Sequence, residues 1–444
     1  MKTRLITLAG VAALAAAPGF AKASGSFDLL ALPHSFFPGA VYVSADGGAL
    51  TGWNNFYWTE AGGYRFAADG SFAGVSGDGS TVIGTFFNTS GEEVAGTWTP
   101  DGGWVEIARL PGGEACGSSV GAGYALNSDA SIAVGLAWVA NCRAEAFMST
   151  GGVTVGLGHA DGASSRATDI SDDGTTIVGF DESPTYGNRR PALWNGAVSG
   201  PQHFAGEETV GEALAVSSDG SKVCGQANGT AFYYTPAGGL VDLGAFPDEP
   251  WGSTAAGVAD DGTVVGWSGD PFFSLPKAFI WTAATGMQPL ASYLTAMSVD
   301  VAGCYLYTAT SISADGTTIA GTAIDASGFW FVPYVVHLPS DQVPLVSDVP
   351  ALAGKASFTL LPNPFQTATQ LSFQAPTDGP VRALVYDLAG RQVRVLFEGE
   401  TLAAGRPIAW DGRDDAGRAL PAGTYLVRVI DQRGEQVQKV ARIR

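Results

Sequence analysis

"ISDDGTTIVG", Ile170 to Gly179, joins a polar turn to a short β-branched strand. Nearly the same phrase recurs as Ser44–Gly52, Ser76–Gly84, Asn127–Gly135, Ser217–Gly225, Ala259–Gly266 and Ser313–Gly321. The aspartates before the turn glycine, or before Ala130 in the third copy, are Asp46, Asp78, Asp129, Asp173, Asp219, Asp261 and Asp315. Their spacings run from 32 to 54 residues. A unit of about 40–45 residues with four strands is the signature of a propeller blade.

The chemistry of the phrase is that of a turn. Asp-Gly between two β runs favours a two-residue type I′ turn, with positive φ at both central residues. The Ser and Asp side chains can bond nearby amides and fix it. The seven aspartates are therefore read as structural. Calcium would need several oxygens converging on one ion, and the D-x-D-x-D-G spacing that supplies them is missing. No metal or cofactor is expected.

Each unit continues in one order. An apolar strand follows the turn, then a variable stretch, then an aromatic strand: "FYWT" (56–59), "GTWT" (96–99), "EAFM" (145–148), "PALW" (191–194), "TAFYY" (230–234), "KAFIW" (277–281) and "FWFV" (329–332). Short Gly turns and a fourth strand close the unit. These aromatics read as packing between blades. "FDLLALP", Phe27–Pro33, matches a fourth strand but precedes any first strand, and the seventh unit shows only three strands. The N-terminal strand is thus expected to complete the last sheet and cover its edge. The fold class is all-β, a seven-bladed β-propeller over residues 24–338.

Glu145-Ala146-Phe147, Thr230-Ala231-Phe232 and Lys277-Ala278-Phe279 stand at one position of the repeat. From Phe27 to Leu338 the repeat resembles that of extracellular repeat proteins named for a His-Ala-Phe triplet, here without the His. The resemblance implies an exported propeller and little about activity.

The chain's start agrees with export. Lys2 and Arg4 precede the apolar Leu5–Ala17, and Ala21-Lys22-Ala23 offers a small-x-small cleavage site. Residues 1–23 read as a signal peptide, with the mature chain starting at Ser24. No later stretch reaches the roughly 18 apolar residues of a spanning helix. Residues 24–354 carry 8 Lys/Arg against 33 Asp/Glu, a net of −25, whereas residues 355–444 carry 12 against 9, a net of +3. The acidic part argues against nucleic acid and anionic lipid. The change in charge marks a boundary, with 339–355 as a Pro-containing linker.

Export permits disulfides. Cys116 and Cys142 flank one repeat and form the favoured pair, although four cysteines allow three pairings. Cys224, in the apolar run "KVCG", reads as a buried free thiol.

In meander order, the first-to-second and third-to-fourth turns share one face, and all are tight. The long loops share the other, among them "DESPTYGNRRP" (181–191), "FPDEPWG" (246–252), "SGDPFFSLPK" (268–277) and "YLTAMSVDVAGCYLY" (293–307). Variable loops on a rigid frame tend to carry function. Tyr186, Trp251, Phe272 and Phe273 are the candidate ligand contacts. No catalytic constellation emerges. His34, His159, His203 and His337 lack metal spacing. Gly117-Ser118-Ser119-Val120-Gly121 has no following helix to make it a nucleophile elbow. Arg189-Arg190 reads as a solvated loop pair, with a carboxylate grip as the sharper alternative.

Residues 356–444 alternate in short runs, as in "TQLSFQAP", "RALVYDL", "RQVRVL" and "TYLVRVI". A two-sheet sandwich of about seven strands suits that spacing. "LPNPF" (361–365), "VYDLAGRQVRVL" (385–396), "WDGRDDAGRALPAGTYLVRV" (410–429) and "KVARIR" (439–444) resemble the type IX secretion C-terminal sorting domain. They equally resemble the immunoglobulin-like domain of the flagellar hook-capping protein. The leader and propeller favour the sorting reading. It implies passage across a Gram-negative outer membrane, with the secretion machinery as partner. Asp411, Asp414 and Asp415 read as loop-forming. Two functions follow. The first is an exported surface or secreted binding or scaffold protein with a glycan or protein ligand. The second is a secreted carbohydrate-active enzyme, glycosidase or lyase, with its site on the long-loop face.

Overall fold

The computed structural model describes residues 25–30, 32, 39–112, 117, 119–140, 142–159, 164–196, 200–249, 251–270, 275–339, 358–361, 365–373, 377–386, 391–402, 408–431 and 434–443. The leader reading and residues 340–355 of the linker reading lie outside them. Two compact units emerge, Met1–Val346 and Ser347–Arg444.

In the first unit each turn phrase becomes a hairpin that opens a four-stranded antiparallel sheet. Seven such sheets are present among the described residues. Their innermost strands are Val41–Val43, Ser71–Val75, Gly121–Leu126, Ser165–Ile170, Gly211–Val216, Ser253–Val258 and Tyr305–Ile312. Six sheets take four consecutive strands in sequence order. The seventh takes three, and Ser26–Leu29 supplies the fourth by pairing with Phe331–His337, from Ser26 opposite His337 to Leu29 opposite Tyr334. Phe27 seats its ring 5.5 Å from that of Tyr334. The first inner strand meets the last through side chains. Thr310 Oγ1 donates to the Val41 carbonyl at 2.6 Å, and the Val43 N–H donates to Ser311 Oγ at 3.0 Å. Neighbouring sheets pack in sequence and the last packs on the first, so the unit is a closed β-propeller.

The aromatic strands fill the spaces between sheets. Phe56, Phe147, Trp194, Phe232, Phe279 and Tyr334 are fully buried. Burial of each large ring contributes on the order of 2–3 kcal/mol. The rings also meet across sheets, as with Tyr57 and Trp98 at 5.9 Å and Tyr233 and Trp281 at 5.2 Å. One long loop departs from the all-strand expectation. Within residues 293–307 and just before them runs a short helix, Leu290–Ala296, that buries Leu290 and Leu294.

The turns differ from the expected two-residue type. Ser171 pairs its backbone with Thr176, leaving four residues between them, and the left-handed backbone falls on Gly174 (φ 74°) and not on Asp173. Side chains explain the larger loop. Ser171 Oγ donates to Asp173 at 2.7 Å, Asp173 accepts the Thr175 N–H at 2.9 Å, and Ser171 Oγ accepts the Thr176 N–H at 3.0 Å. The same pattern recurs at Ser76–Asp78, Ser217–Asp219 and Ser313–Asp315. In the third copy Asn127 replaces the serine and donates to Asp129 at 2.9 Å.

The second unit is an immunoglobulin-like sandwich. A three-stranded sheet holds Phe358–Leu361, Thr369–Phe373 and Ile408–Trp410. A four-stranded sheet holds Gln392–Leu402, Thr377–Tyr386, Gly423–Asp431 and Gly434–Arg442. Trp410 is buried between Phe365 and Tyr425, with ring centroids 5.2 and 5.4 Å away. Asp411 and Asp414 accept the N–H groups of Arg413 and Ala416 within their own loop, whereas Asp415 accepts that of Val395 in the strand Gln392–Leu402.

The third turn places Ala130 where the other copies have glycine, at φ 57°. A left-handed L-residue costs about 1–2 kcal/mol. Ala130→Gly should therefore raise the unfolding free energy by about 1 kcal/mol after the added chain entropy of glycine. Denaturant titration of the two proteins measures the difference.

Candidate functional site

The propeller's two faces are built differently. On one face the turns bond to each other. The N–H of Asp46 donates to the Gly77 carbonyl, that of Asp78 to Ser128, that of Ser128 to Asp172 and that of Asp172 to Ser218. The N–H of Asp260 donates to Ala314, and that of Ala314 to Ala45, closing a belt around the axis. The joint between the fifth and sixth turns departs from this. The sixth copy, Ala259–Gly266, is one residue short and lacks the serine. Its Asp260 carboxylate takes over by accepting the Asp219 N–H at 2.9 Å.

Inside the belt lies the channel. Six of the seven inner strands carry a β-bulge; the last also skips Tyr307, and at the level shared by all six the unpaired residues are Ala73, Tyr124, Thr168, Leu214, Ala256 and Thr310. A bulge leaves one residue unpaired, bends the strand locally and re-aims a side chain. All six residues line an axial cavity of about 160 Å³, together with Tyr42 of the strand that lacks a bulge. The lining holds two carboxylates, Asp169 and Asp172, and neither lysine, arginine nor histidine. Asp169 accepts the Ile170 N–H at 2.9 Å and the Val216 N–H at 2.8 Å. Burial overrides both bonds and pushes its carboxyl up to about 7. Burial also raises Asp172 and Asp260, each with help from nearby carboxylates. The Tyr42 phenol is pushed up to about 12 by burial beside Tyr124.

At the long-loop end, Arg166 sits between two rings, 5.0 Å from the Tyr124 centroid and 5.1 Å from that of Phe180. It pairs with Glu212 of the next blade. Arg189 also lies over the Phe180 ring, 4.4 Å from its centroid. Arg190 corrects the solvated-pair reading. It is 6% exposed and reaches Asp181 at 3.4 Å, while His203 Nε2 lies 2.8 Å from the same carboxylate oxygen. Asp181 is fully buried, so this cluster ties together the strands of the fourth sheet. The cue in the sequence was the charged pair bracketing a hairpin loop, Asp181 and Glu182 before it and Arg189 and Arg190 after it.

Tyr186 and Trp251 are 63% and 55% exposed on this face. Phe272 and Phe273 lie outside the described residues. Val210, Leu275 and Phe329 are further exposed apolar side chains in its loops, and no large apolar side chain is exposed in a described tight turn. The seven turn aspartates stay apart, each engaged in its own turn. Among the described residues no group of three or more His, Cys, Asp or Glu could hold a metal ion. Cys142 is disulfide-bonded, and Cys224 and Cys304 are buried free thiols. Cys116 lies outside the described residues. No described helix is long and apolar enough to cross a membrane.

Comparisons with known proteins add a family for the second unit. Residues 363–435 match the model of the FlgD Ig-like domain. Comparison with curated proteins found no match. Among solved structures, the chain is similar to the β-propeller domain of the Trilobed protease from Pyrococcus furiosus, at 11% identity and a TM-score of 0.42, covering 67% of this chain and 95% of that one. It is similar to a putative TolB from Agrobacterium tumefaciens, at 15% identity and 0.35, covering 68% and 91%. It is also similar to PorZ, a surface component of the type IX secretion system of Porphyromonas gingivalis, at 12% identity and 0.25, covering 91% and 70%. The propeller assignment itself rests on the sheet pairing described above.

The channel and the turns titrate in opposite senses. The folded pKa of Asp169 lies above the ordinary 3.8, so its contribution favours folding at low pH and is lost as pH rises through about 7. Asp129 is held below 3.8 by the Ser131 hydroxyl and N–H, and Asp173 by the Thr175 N–H and the Ser171 hydroxyl. Their contributions are present above 3.8 and fade as pH falls below it. The thermal midpoint should therefore rise from about pH 8 to about pH 6 and fall below about pH 4. Asp169→Asn should flatten the upper limb and leave the acid limb in place, as scanning calorimetry across pH would record.

Proposed function

We propose that this chain is an exported binding protein of the Gram-negative cell surface or medium, with the propeller's long-loop face as its recognition surface. The sorting of exposed apolar side chains carries the reading. Tyr186, Val210, Trp251, Leu275 and Phe329 sit in long loops, whereas the opposite face spends its turns on the hydrogen-bonded belt. Exposed aromatics on a rigid frame suit stacking on a sugar ring or burial in a protein partner. The ligand is a glycan or a protein.

The leader, the triplet-bearing repeat and the C-terminal runs support the rest of the reading. Residues 1–23 direct export, and residues 356–444 act as a type IX sorting domain engaged by the secretion machinery. The similarity of residues 363–435 to the FlgD Ig-like domain gives the fold of that unit, and the sorting role is our inference.

Two measurements test this. A glycan and peptide array probed with the mature chain should return a saturable ligand, and Trp251→Ala with Tyr186→Ala should weaken it by about tenfold or more, the usual cost of losing aromatic anchors. Unchanged affinity would move the site off this face, and turnover of a hit would replace the binding reading with a carbohydrate-active one. In the native host, deletion of residues 356–444 should hold the propeller in the periplasm. Surface display of the truncated chain would refute the sorting role.

A further inference from the structure

We propose, resting on the loop-face reading above, that the recognition surface is one arc across the fourth, fifth and sixth sheets, and that its partner is a basic segment of another protein and not a glycan. The exposed apolar residues of this arc stand on one hydrogen-bonded frame. Tyr186 lies in the loop between the second and third strands of the fourth sheet. Asn188 of that loop donates through Nδ2 to the Thr209 carbonyl at 2.6 Å and to that of Glu207 at 3.3 Å. Val210 follows directly. Its N–H donates to Asn228 Oδ1 at 3.0 Å and its carbonyl accepts the Asn228 N–H at 2.7 Å, which fixes it against a hairpin tip of the fifth sheet. Gly229 of that tip accepts the Ser253 N–H at 3.1 Å, and Gly252 accepts the Gly269 N–H at 2.8 Å. The segment carrying Trp251 is thereby held between the fifth and sixth sheets. Leu275 is held through its carbonyl, which accepts the Tyr305 hydroxyl at 3.0 Å, and Lys277 pairs with Asp248. Loops preorganised in this way bind without the cost of ordering them.

The exposed side chains select the class of partner. Tyr186, Val210, Trp251 and Leu275 are each more than half exposed. Rings can stack on a sugar, but Val210 and Leu275 offer a sugar no flat face, whereas a protein partner buries aliphatic and aromatic side chains alike. Charge narrows the partner further. Residues 181–190, 205–210, 246–252 and 268–277 carry 3 Lys/Arg against 7 Asp/Glu, a net of −4. Arg190 is engaged by the buried Asp181 and Lys277 by Asp248. Among the described exposed residues of these loops, Glu207, Glu208 and Asp248 are acidic and Arg189 is basic. An apolar run bordered by carboxylates is complementary to lysine or arginine flanking apolar side chains, and the net charge of −25 over residues 24–354 steers such a segment in.

A phage-displayed library of linear random peptides, panned on the full mature chain, tests this beside a glycan array. Selected peptides should combine lysine or arginine with leucine or aromatic residues. Fluorescence anisotropy should show their affinity falling as added salt shortens the screening length below about 8 Å. Val210→Ser and Leu275→Ser should each weaken binding by about fivefold or more, and the paired change Glu207→Gln with Glu208→Gln should weaken it and flatten the salt dependence. These substitutions alter exposed side chains and leave the backbone bonds of the frame in place, so thermal midpoints should stay close to that of the wild type. Phe87→Ser, which removes an exposed ring of the second sheet, should leave affinity unchanged. No selected peptide, selected peptides without basic residues, wild-type affinity in Val210→Ser, Leu275→Ser or the paired glutamate change, or weakening by Phe87→Ser would each overturn the proposal. Glycan binding lost in Trp251→Ala but kept in Val210→Ser and Leu275→Ser would overturn it while leaving the loop face as the site. Peptide binding indifferent to all of these changes and to Trp251→Ala would remove both readings.

Discussion

The propeller depends on what its inner turns do with their backbone. A turn that closes its own hairpin still has an N–H and a carbonyl to satisfy, and an unpaired buried group costs about 1–3 kcal/mol. Here the Ser and Asp side chains close the hairpin from within, as at Ser171 and Asp173. That leaves backbone groups free to bond to the next turn, as Asp172 does to Ser218. Each hairpin's closure is thereby tied to the position of its neighbour. The sixth turn shows the constraint acting. It has lost a residue and its serine, and a carboxylate bridges the joint instead.

Much of the architecture was legible because it repeats. Asp-Gly turns, aromatic strands and the orphan N-terminal strand sit at positions that only a closed ring reconciles. The pairing of Phe27 with Val336 is the consequence. The turn type was misread because Asp-Gly was weighed by φ preference alone. The serine two residues before the aspartate changes the loop size through its hydroxyl, a contact that pairwise propensities omit. The second unit read well because alternation and turn residues mark its short strands. Trp410 and Tyr425 then pack as the central rings of its core.

The site was less legible. Asp169 and Asp172 look like any of 33 acids until the fold turns one edge of their blade toward the axis. Arg190 looks solvated until Asp181 and His203 enclose it. Tyr186 and Trp251 could be assigned to a face from strand order, because that needs only the direction of each strand. Which of the acids meet depends on bulges and on the turn of each sheet about the axis, and neither leaves a periodic mark in the chain.

The bulges also separate two kinds of inheritance. In six of the seven inner strands a residue at one shared level stands outside the pairing register, so its identity is uncoupled from the sheet that carries it. Alanine, tyrosine, threonine and leucine all occur there. A lineage of such proteins can therefore exchange the chemistry of its central passage one blade at a time, by single substitutions that the surrounding scaffold does not register.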